Sequence, residues 1–130
     1  MQMKLLIAAL LAVFSTSVMA KWTEVGGSDT STAYADFSTI RKSGDKVKMW
    51  NLMDFKVTQT GGNGERYLSD AGQYEYDCKE ETSRSLIFIW YSKNMGAGDV
   101  VWQSGNTHAE FQPIPPGSTG GTFFKLACGK

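Results

Sequence analysis

The sequence predicts an α+β fold, in which an antiparallel β-sheet carries a C-terminal α-helix and one disulfide. Three observations support this prediction. Segments rich in β-branched and aromatic residues dominate the chain up to a proline-rich break at residues 113–116. A helical pattern follows only after that break, and the chain has just two cysteines, Cys78 and Cys128. A length of 130 residues suits one domain with one core.

The first 20 residues resemble a secretory signal peptide in composition. An apolar run follows Lys4, and Val18-Met19-Ala20 matches the pattern that precedes a cut after Ala20. The apolar run is too short to favour crossing a bilayer. We therefore expect a signal peptide at residues 1–20, a mature domain at 21–130, and export to the periplasm, the cell surface or the medium.

Extended segments separated by glycine-containing turns account for most of the mature chain. The strongest is Leu86-Ile87-Phe88-Ile89-Trp90-Tyr91, a run typical of a central strand that is covered on both faces. The predicted strands comprise residues 21–25, 32–37, 46–57, 74–78, 85–92 and 100–102, with a short extended piece from Phe111 to Pro113. The intervening turns are predicted at residues 26–29, 43–45, 61–64 and 95–99.

A helix is predicted after Ser118, whose hydroxyl suits an N-cap. Phe123, Leu126 and Ala127 would share one helical face. Two glycines in the first turn weaken this helix by about 1 kcal/mol each relative to alanine. A disulfide at Cys128 would compensate by holding the end of the helix.

The two cysteines predict a structural disulfide. An isolated pair in an exported chain most often forms one bridge. Cys78 and Cys128 are 50 positions apart, so a redox-active Cys-x-x-Cys arrangement is absent from the sequence. Closing a loop of that length stabilises the fold by roughly 4 kcal/mol in the chain-entropy model.

The only histidine, His108, gives little support to catalysis or metal binding. A metal site needs several ligands, and no cysteine or carboxylate spacing accompanies this imidazole. Its polar surroundings favour a solvent-exposed loop residue, and no nucleophile-elbow motif suggests a serine–histidine site. Heme ligation by His108 or a methionine stays open without any pattern that favours it. We predict no enzyme activity, no metal and no cofactor.

Two further segments are interpreted as connections between strands. Asp77, Glu80 and Glu81 flank Cys78 but lack the spacing of a calcium loop, which favours a solvated turn over a weak cation site. Gly61-Gly62-Asn63-Gly64 lacks the lysine and hydroxyl of a phosphate-binding loop and indicates a mobile connection.

The charge balance argues against nucleic-acid and polybasic membrane contacts. The chain has 13 basic and 13 acidic residues, and losing Lys4 with the signal would leave a net charge of −1. No segment after the signal is long and apolar enough to cross a membrane.

The aromatic content suggests a protein partner. Trp22, Trp50, Trp90 and Trp102 could all be core, but one short helix covers only one face of a sheet. The opposite face, with its half of the run at residues 86–91, then needs a homodimer partner, another protein or a hydrophobic ligand.

The order of several short motifs resembles the surface-adhesin protein E-like family of Gram-negative bacteria. The resemblance extends over essentially the whole mature chain. The motifs are Trp22, Tyr34-Ala35-Asp36, Ile40-Arg41, Val47-Lys48-Met49-Trp50, Tyr76-Asp77-Cys78, Met95-Gly96-x-Gly98, Pro116-Gly117-Ser118 and Ala127-Cys128.

The resemblance implies an antiparallel sheet with a C-terminal helix and a Cys78–Cys128 disulfide. It also implies binding to host extracellular-matrix proteins and dimerisation. This sequence departs from the family in having no cysteine at the signal cut for a lipid anchor and no lysine or arginine within residues 103–112. We expect an exported, non-enzymatic binding protein that contacts host or envelope proteins. The alternative is a periplasmic inhibitor of an enzyme such as lysozyme.

Overall fold

The computed structural model describes residues 20–130 and contains one antiparallel sheet and one α-helix. Apart from Ala20, the predicted signal peptide lies outside the described residues. The elements are β1 (Thr23–Gly27), β2 (Ser31–Ser43), β3 (Lys46–Thr60), β4 (Arg66–Asp77), β5 (Thr82–Tyr91), β6 (Val100–Gly105), β7 (Gln112–Pro113) and α1 (Thr119–Cys128). The α+β prediction is confirmed.

The sheet is a meander in which each of the first six strands pairs with its neighbours along the chain. Its order is β1-β2-β3-β4-β5-β6. One edge of β5 pairs with β4, and the other edge has two partners. The last residues of β5 pair with β6, whereas Thr82 and Ser83 at its start pair with β7. Short turns suffice for these connections, because antiparallel neighbours need no crossover.

The turn between β2 and β3 illustrates how glycine permits this tight connection. Gly44 has a φ of 61°, in the left-handed region that glycine adopts without a steric penalty. The break predicted at residues 43–45 is confirmed. β1, β3, β5 and β6 agree with the predicted segments to within three residues at each end.

Two strands extend well beyond their predicted limits. The sequence predicts a strand only at residues 74–78, whereas β4 begins at Arg66. The missed stretch contains Asp70 and Gly72, residue types depleted in strands, and pairing with β3 and β5 on both sides keeps it extended. β2 continues past its predicted end at Phe37 through a register shift that breaks its alternation.

The helix packs on one face of the sheet, here called the inner face. Alternate residues of β2, β3 and β4 point to this side and meet the apolar side of α1. The buried cluster comprises Ala33, Ala35, Val47, Met49, Tyr76, Phe123, Phe124 and Ala127. Small alanines on β2 leave room for the phenylalanines of the helix, so the two layers interdigitate.

The helix is oriented differently from the prediction. Leu126 is 36% exposed and does not belong to the packed face, whereas Phe124 is only 7% exposed. At about 100° per residue, Phe123, Ala127 and Phe124 span roughly 100° of the helix surface, and Leu126 lies on the opposite side of Phe123 from Phe124. Of the predicted face of Phe123, Leu126 and Ala127, the structure confirms Phe123 and Ala127, whereas Phe124 takes the place expected for Leu126.

Capping explains how a helix with two glycines near its start is maintained. The Ser118 hydroxyl accepts a hydrogen bond from the Gly121 amide at 3.1 Å, as the sequence predicts. At the other end, Gly129 has a φ of 70° and its amide donates to the Lys125 carbonyl.

The predicted disulfide is confirmed and joins the helix to the sheet. Cys78 follows β4, and its bond to Cys128 attaches the last residue of α1 to that strand end, with 5.7 Å between the Cα atoms. The Lys130 ammonium adds a hydrogen bond to the Cys78 carbonyl at 2.8 Å.

The contrast between two helix residues yields a stability prediction. Phe124→Ala should lower the free energy of unfolding by about 3–5 kcal/mol, because it empties a buried site. Leu126→Ala should lower it by about 1 kcal/mol or less, because that side chain is partly solvated. Urea unfolding of both variants tests this, and equal losses would contradict the observed orientation of α1.

The disulfide yields a second stability prediction. Cys78→Ser should lower the free energy of unfolding by roughly 4 kcal/mol, because the unfolded chain regains the freedom of an open 50-residue loop. Cys128→Ser should have the same effect. Thermal unfolding of each variant and of the reduced wild-type protein measures the loss, and an unchanged melting temperature on reduction would refute it.

Candidate functional site

The sheet face opposite α1, here called the outer face, carries a continuous apolar band across its middle strands. Directly paired residues point to the same side of a sheet. Leu52 pairs with Ala71, and Ala71 pairs with Ile89, so these three side chains form one row. Trp50 and Tyr91 flank this row. The outer face therefore has the apolar character that the sequence predicts for the face away from the helix.

Trp22 also lies on the outer face and borders a hollow in it. Two adjoining depressions, of about 300 and 280 Å³, share Ala20, Trp22, Ala71 and Tyr91 as lining residues. We call them together the outer hollow. Its complete lining is Ala20, Trp22, Asp36, Thr39, Trp50, Leu52, Ala71, Ile89, Tyr91, Met95 and Gly96. Apart from Asp36 and Thr39 at one edge, these residues are apolar, aromatic or glycine.

One rim of the hollow is the loop between β5 and β6, which folds back onto the outer face. The Asp54 carboxylate accepts hydrogen bonds from the Met95 amide at 2.8 Å and from the Asn94 side chain at 3.0 Å. The Asn94 side chain also donates to the Phe55 carbonyl at 2.8 Å. These three bonds fix the loop to the second half of β3.

A buried serine provides a second attachment for the same loop. Ser69 is fully buried; its hydroxyl donates to the Lys93 carbonyl at 2.6 Å and accepts from the Gly96 amide at 2.9 Å. The loop is thus anchored on both β3 and β4, and these bonds hold the rim in place.

Met95 sits at the rim in a strained conformation. Its φ of 57° and ψ of 34° lie in the left-handed region, which costs a non-glycine residue about 1–2 kcal/mol. The side chain is 40% exposed, unusually high for methionine. Strain of this kind persists only where surrounding bonds enforce it, and it is concentrated at functional sites.

The opposite edge of the hollow contains a buried carboxylate. Asp36 is 3% exposed and accepts hydrogen bonds from the Ser38 amide at 3.0 Å, the Ser38 hydroxyl, and the Lys21 backbone nitrogen at 3.0 Å. The adjacent Thr39 hydroxyl donates to the Asp36 carbonyl and accepts from the Trp50 amide. These bonds hold in place the segment of β2 in which its register against β3 shifts, next to the hollow.

The remaining end of the outer face is covered by the chain between β6 and β7. The Arg84 guanidinium forms a salt bridge with Glu75, with 2.6 Å between Nη2 and Oε1. The Arg84 Cζ atom also lies 4.6 Å from the centre of the Phe111 ring, and Nη1 donates a hydrogen bond to the Ala109 carbonyl oxygen at 3.2 Å. His108 belongs to this covering segment and is exposed there. The outer hollow is therefore the uncovered part of this face.

A second group of aromatic residues lies on the inner face, beyond the reach of α1. The rings of Tyr67 and Trp90 are stacked, with 4.2 Å between their centres. The rings of Trp90 and Trp102 pack edge to face, with 5.3 Å between their centres. Phe55 and Phe88 extend the group on either side. Phe88 and Trp90 thus point toward the helix side of the sheet but lie outside the buried cluster that packs on α1. Ile87, Ile89 and Tyr91 point outward.

Asp70 lies beside this aromatic group. It pairs across the sheet with Met53 and Trp90. Burial raises the pKa of its carboxyl group from 3.8 to about 6. Among the hydrogen bonds and ion pairs of the described residues, none involves this carboxyl group. The folded state therefore carries an unfavourable charge here at neutral pH.

The acidic residues singled out in the sequence lie at the turn between β4 and β5. The amides of Glu80 and Lys79 donate to the Asp77 carboxylate at 3.0 and 3.1 Å, and the bond from Glu80 contributes most to lowering the pKa of Asp77. Glu80 and Glu81 are exposed and line a groove of about 530 Å³ beside the start of α1. Neither Asp77 nor His108 lines that groove, so these residues do not converge.

Other potential sites give no further chemistry in the part of the chain that the structure describes. No group of three or more histidine, cysteine, aspartate and glutamate side chains is arranged to hold a metal within residues 20–130. The glycine-rich residues 61–64 form the connection between β3 and β4. The described helix, α1, is too short to span a membrane.

Comparison with known protein families shows to which family the chain belongs. The model of the family described as Surface-adhesin protein E matches residues 22–129. The chain belongs to the surface-adhesin protein E family. The match extends over nearly all of the described residues, and it confirms the resemblance that the sequence motifs predict. Proteins of a surface-adhesin family are exported, and this protein is exported accordingly.

Solved structures support the same fold. A structure of Haemophilus influenzae protein E has a TM-score of 0.59 and 12% sequence identity, and the match covers 88% of each chain. A structure of protein E from non-typeable Haemophilus influenzae has a TM-score of 0.54 and 12% identity over 88% of this chain and 76% of that one. No curated protein sequence matches this chain.

Family membership favours a binding protein over an enzyme, in agreement with the sequence prediction. The alternative that the protein inhibits an enzyme such as lysozyme receives no support from these matches.

Sequence reasoning located the outer face but missed the residues that shape its hollow. Asp54 and Ser69 look like ordinary polar positions in strands, and their loop contacts join residues 24 to 41 positions apart. The only signal was the pair of glycines around Ala97, which indicated a tight loop. The strained conformation of Met95 has no sequence signature.

The raised pKa of Asp70 leads to a pH-dependent prediction. Because the folded-state pKa of about 6 exceeds the ordinary value of 3.8, the stabilising protonated form is fully present below pH 3.8 and is lost as the pH rises through 6. Asp70→Asn should therefore stabilise the protein at pH 8, by up to about 3 kcal/mol, and much less at pH 4.

Urea unfolding at the two pH values measures this difference, with the exposed Asp99→Asn as the matched control. A stability change for Asp70→Asn that is the same at both pH values would contradict the assignment of a partly buried carboxylate without a compensating partner.

Proposed function

We propose that this protein is a non-enzymatic adhesin that binds a host or envelope protein through the outer hollow. The observation that carries the proposal is an aromatic-lined hollow on the outer face, the face that α1 does not cover. Membership of the surface-adhesin protein E family supports the same function.

The chemistry of the hollow suits an apolar side chain of a protein partner. Trp22, Trp50 and Tyr91 offer aromatic surface of the kind that dominates binding energy at protein interfaces. Each depression, at about 300 Å³, is at the lower end of the range for small-molecule pockets. An anchoring side chain with a surrounding flat contact therefore fits better than a large cofactor.

The rim supports the proposal because it is fixed before any partner arrives. Asp54 and Ser69 hold the loop that carries Met95, so binding need not order that loop. Methionine adapts its shape to different apolar partners and is common at adaptable binding surfaces.

Electrostatic attraction contributes little to this mode of binding. Residues 103–112 contain no lysine or arginine, and the chain as a whole has equal numbers of basic and acidic residues. Contact with an acidic matrix ligand would lack the basic patch that it needs. We therefore assign recognition to the apolar hollow.

A second copy of the chain is another protein partner that the same surface would fit. Packing of two outer faces would bury Trp50 and Tyr91 in a symmetric interface. We further assign the signal peptide to residues 1–20, the adhesin domain to residues 21–130, and the protein to the envelope of a Gram-negative bacterium. The signal pattern before Lys21 and the family match support these assignments.

The proposed surface leads to a binding prediction. Tyr91→Ala and Met95→Ala should each weaken binding to the partner by roughly tenfold or more, because both remove apolar contact at the hollow. Val57→Ala should leave binding unchanged, because Val57 is 64% exposed and does not line the hollow. Purified protein is tested against a panel of extracellular-matrix proteins by surface plasmon resonance.

Circular dichroism confirms that the variants fold, and sedimentation analysis reports whether the free protein is a dimer. Absence of binding to the whole panel at micromolar concentration would reject the matrix-adhesin function. Binding that survives both hollow substitutions would reject the surface.

A further inference from the structure

The buried Asp36 carboxylate lacks a cationic partner among the side chains that the structure describes. It is 3% exposed, and the salt bridges found within residues 20–130 involve Glu75 and Asp77 instead. A buried carboxylate is costly unless it is both hydrogen-bonded and paired with a cation. The Ser38 amide and hydroxyl satisfy only part of this requirement.

The third donor to Asp36 is the backbone nitrogen of Lys21, at 3.0 Å. Lys21 follows Ala20, the residue after which the signal pattern predicts cleavage. Hydrolysis of the Ala20–Lys21 bond adds the hydroxyl of water to the Ala20 carbonyl carbon and a proton to the Lys21 nitrogen. At neutral pH the same nitrogen then takes up a further proton and becomes an α-ammonium group.

We propose that the mature protein begins at Lys21 and that the α-ammonium group of Lys21 forms an ion pair with the Asp36 carboxylate at the edge of the outer hollow. The Lys21 nitrogen changes from a neutral amide donor to a charged ammonium donor, and it already lies within hydrogen-bond distance of the Asp36 carboxylate. Charge-assisted hydrogen bonds are roughly twice as strong as neutral ones, so the buried carboxylate gains the partner that it lacks.

Cleavage at this bond also changes the hollow itself. Ala20 forms part of the wall of both depressions, so its removal opens them on that side. Trp22 stays in place because β1 begins at the next residue, where Thr23 pairs with Ala35. Cleavage therefore places a charged group at one edge of the hollow and removes one residue from its wall.

The role of the hollow in this inference rests on the proposed function, whereas the ion pair does not. The pair depends only on the position of the Lys21 nitrogen and on cleavage after Ala20. Asp36→Asn removes the carboxylate charge while keeping a hydrogen-bond acceptor. A protein extended by one residue, with Ala20 as its first residue, moves the ammonium group away from Asp36.

The test compares three purified proteins: the chain starting at Lys21, its Asp36→Asn variant, and the chain starting at Ala20. Each is treated with acetic anhydride at pH 7, and mass spectrometry follows acetylation of the terminal amine relative to the lysine side chains. A free α-amine normally reacts first, because its ordinary pKa of about 7.7–8.0 is well below that of lysine, about 10.4.

In the chain starting at Lys21, we expect acetylation of the α-amine to be roughly tenfold slower than in either comparison protein. Only the neutral amine reacts, and the ion pair with Asp36 should lower the neutral fraction by about that factor. The same chain should also melt at a higher temperature than the chain starting at Ala20. Equal acetylation rates in all three proteins would overturn the ion pair, as would a mature protein from the exporting cell that does not begin at Lys21.

Binding to the matrix panel separates this inference from the proposed function. Slow acetylation without any matrix binding would retain the ion pair and reject the adhesin function. If the proposed function holds, the chain starting at Lys21 should bind more tightly than the chain starting at Ala20. Equal affinities would reject the opening of the hollow by cleavage.

Discussion

The central constraint on this fold is that one ten-residue helix packs against a seven-stranded sheet. Phe123 and Phe124 fill the space over β2, β3 and β4, and the Cys78–Cys128 bond keeps them there. Beyond that area the sheet must cover its apolar residues by other means. On the inner face, Tyr67, Trp90 and their neighbours pack on one another. On the outer face, loops and the N-terminal residues provide partial cover, and what they leave uncovered is the hollow.

Most of the fold could be predicted from the sequence because its signals are local. Alternation identified the strands, glycines identified the turns, and Ser118 identified the start of the helix. The first half of β4 was missed because Asp70 and Gly72 do not resemble strand residues, and only pairing on both sides holds them extended. The helix face was misjudged at Leu126, since spacing alone does not reveal which stripe meets the sheet.

The candidate site was predictable only in outline, for a different physical reason. Counting layers showed that one sheet face needs a partner. The hollow itself depends on contacts between residues that are distant in sequence, such as Asp54 with Met95 and Asp36 with Lys21. Hydrogen bonds of this kind follow from the completed fold and leave no periodic pattern.

The strand order has a consequence for how the chain acquires its structure. Because each of the first six strands pairs with its sequence neighbour, most of the sheet forms through hairpins of low contact order. Docking of α1 is the principal long-range step, since it must bring Cys128 back across 50 residues to Cys78. The sheet of an exported chain can thus form progressively from its N-terminal end. The disulfide forms last, because the two thiols meet only once α1 has docked on the sheet.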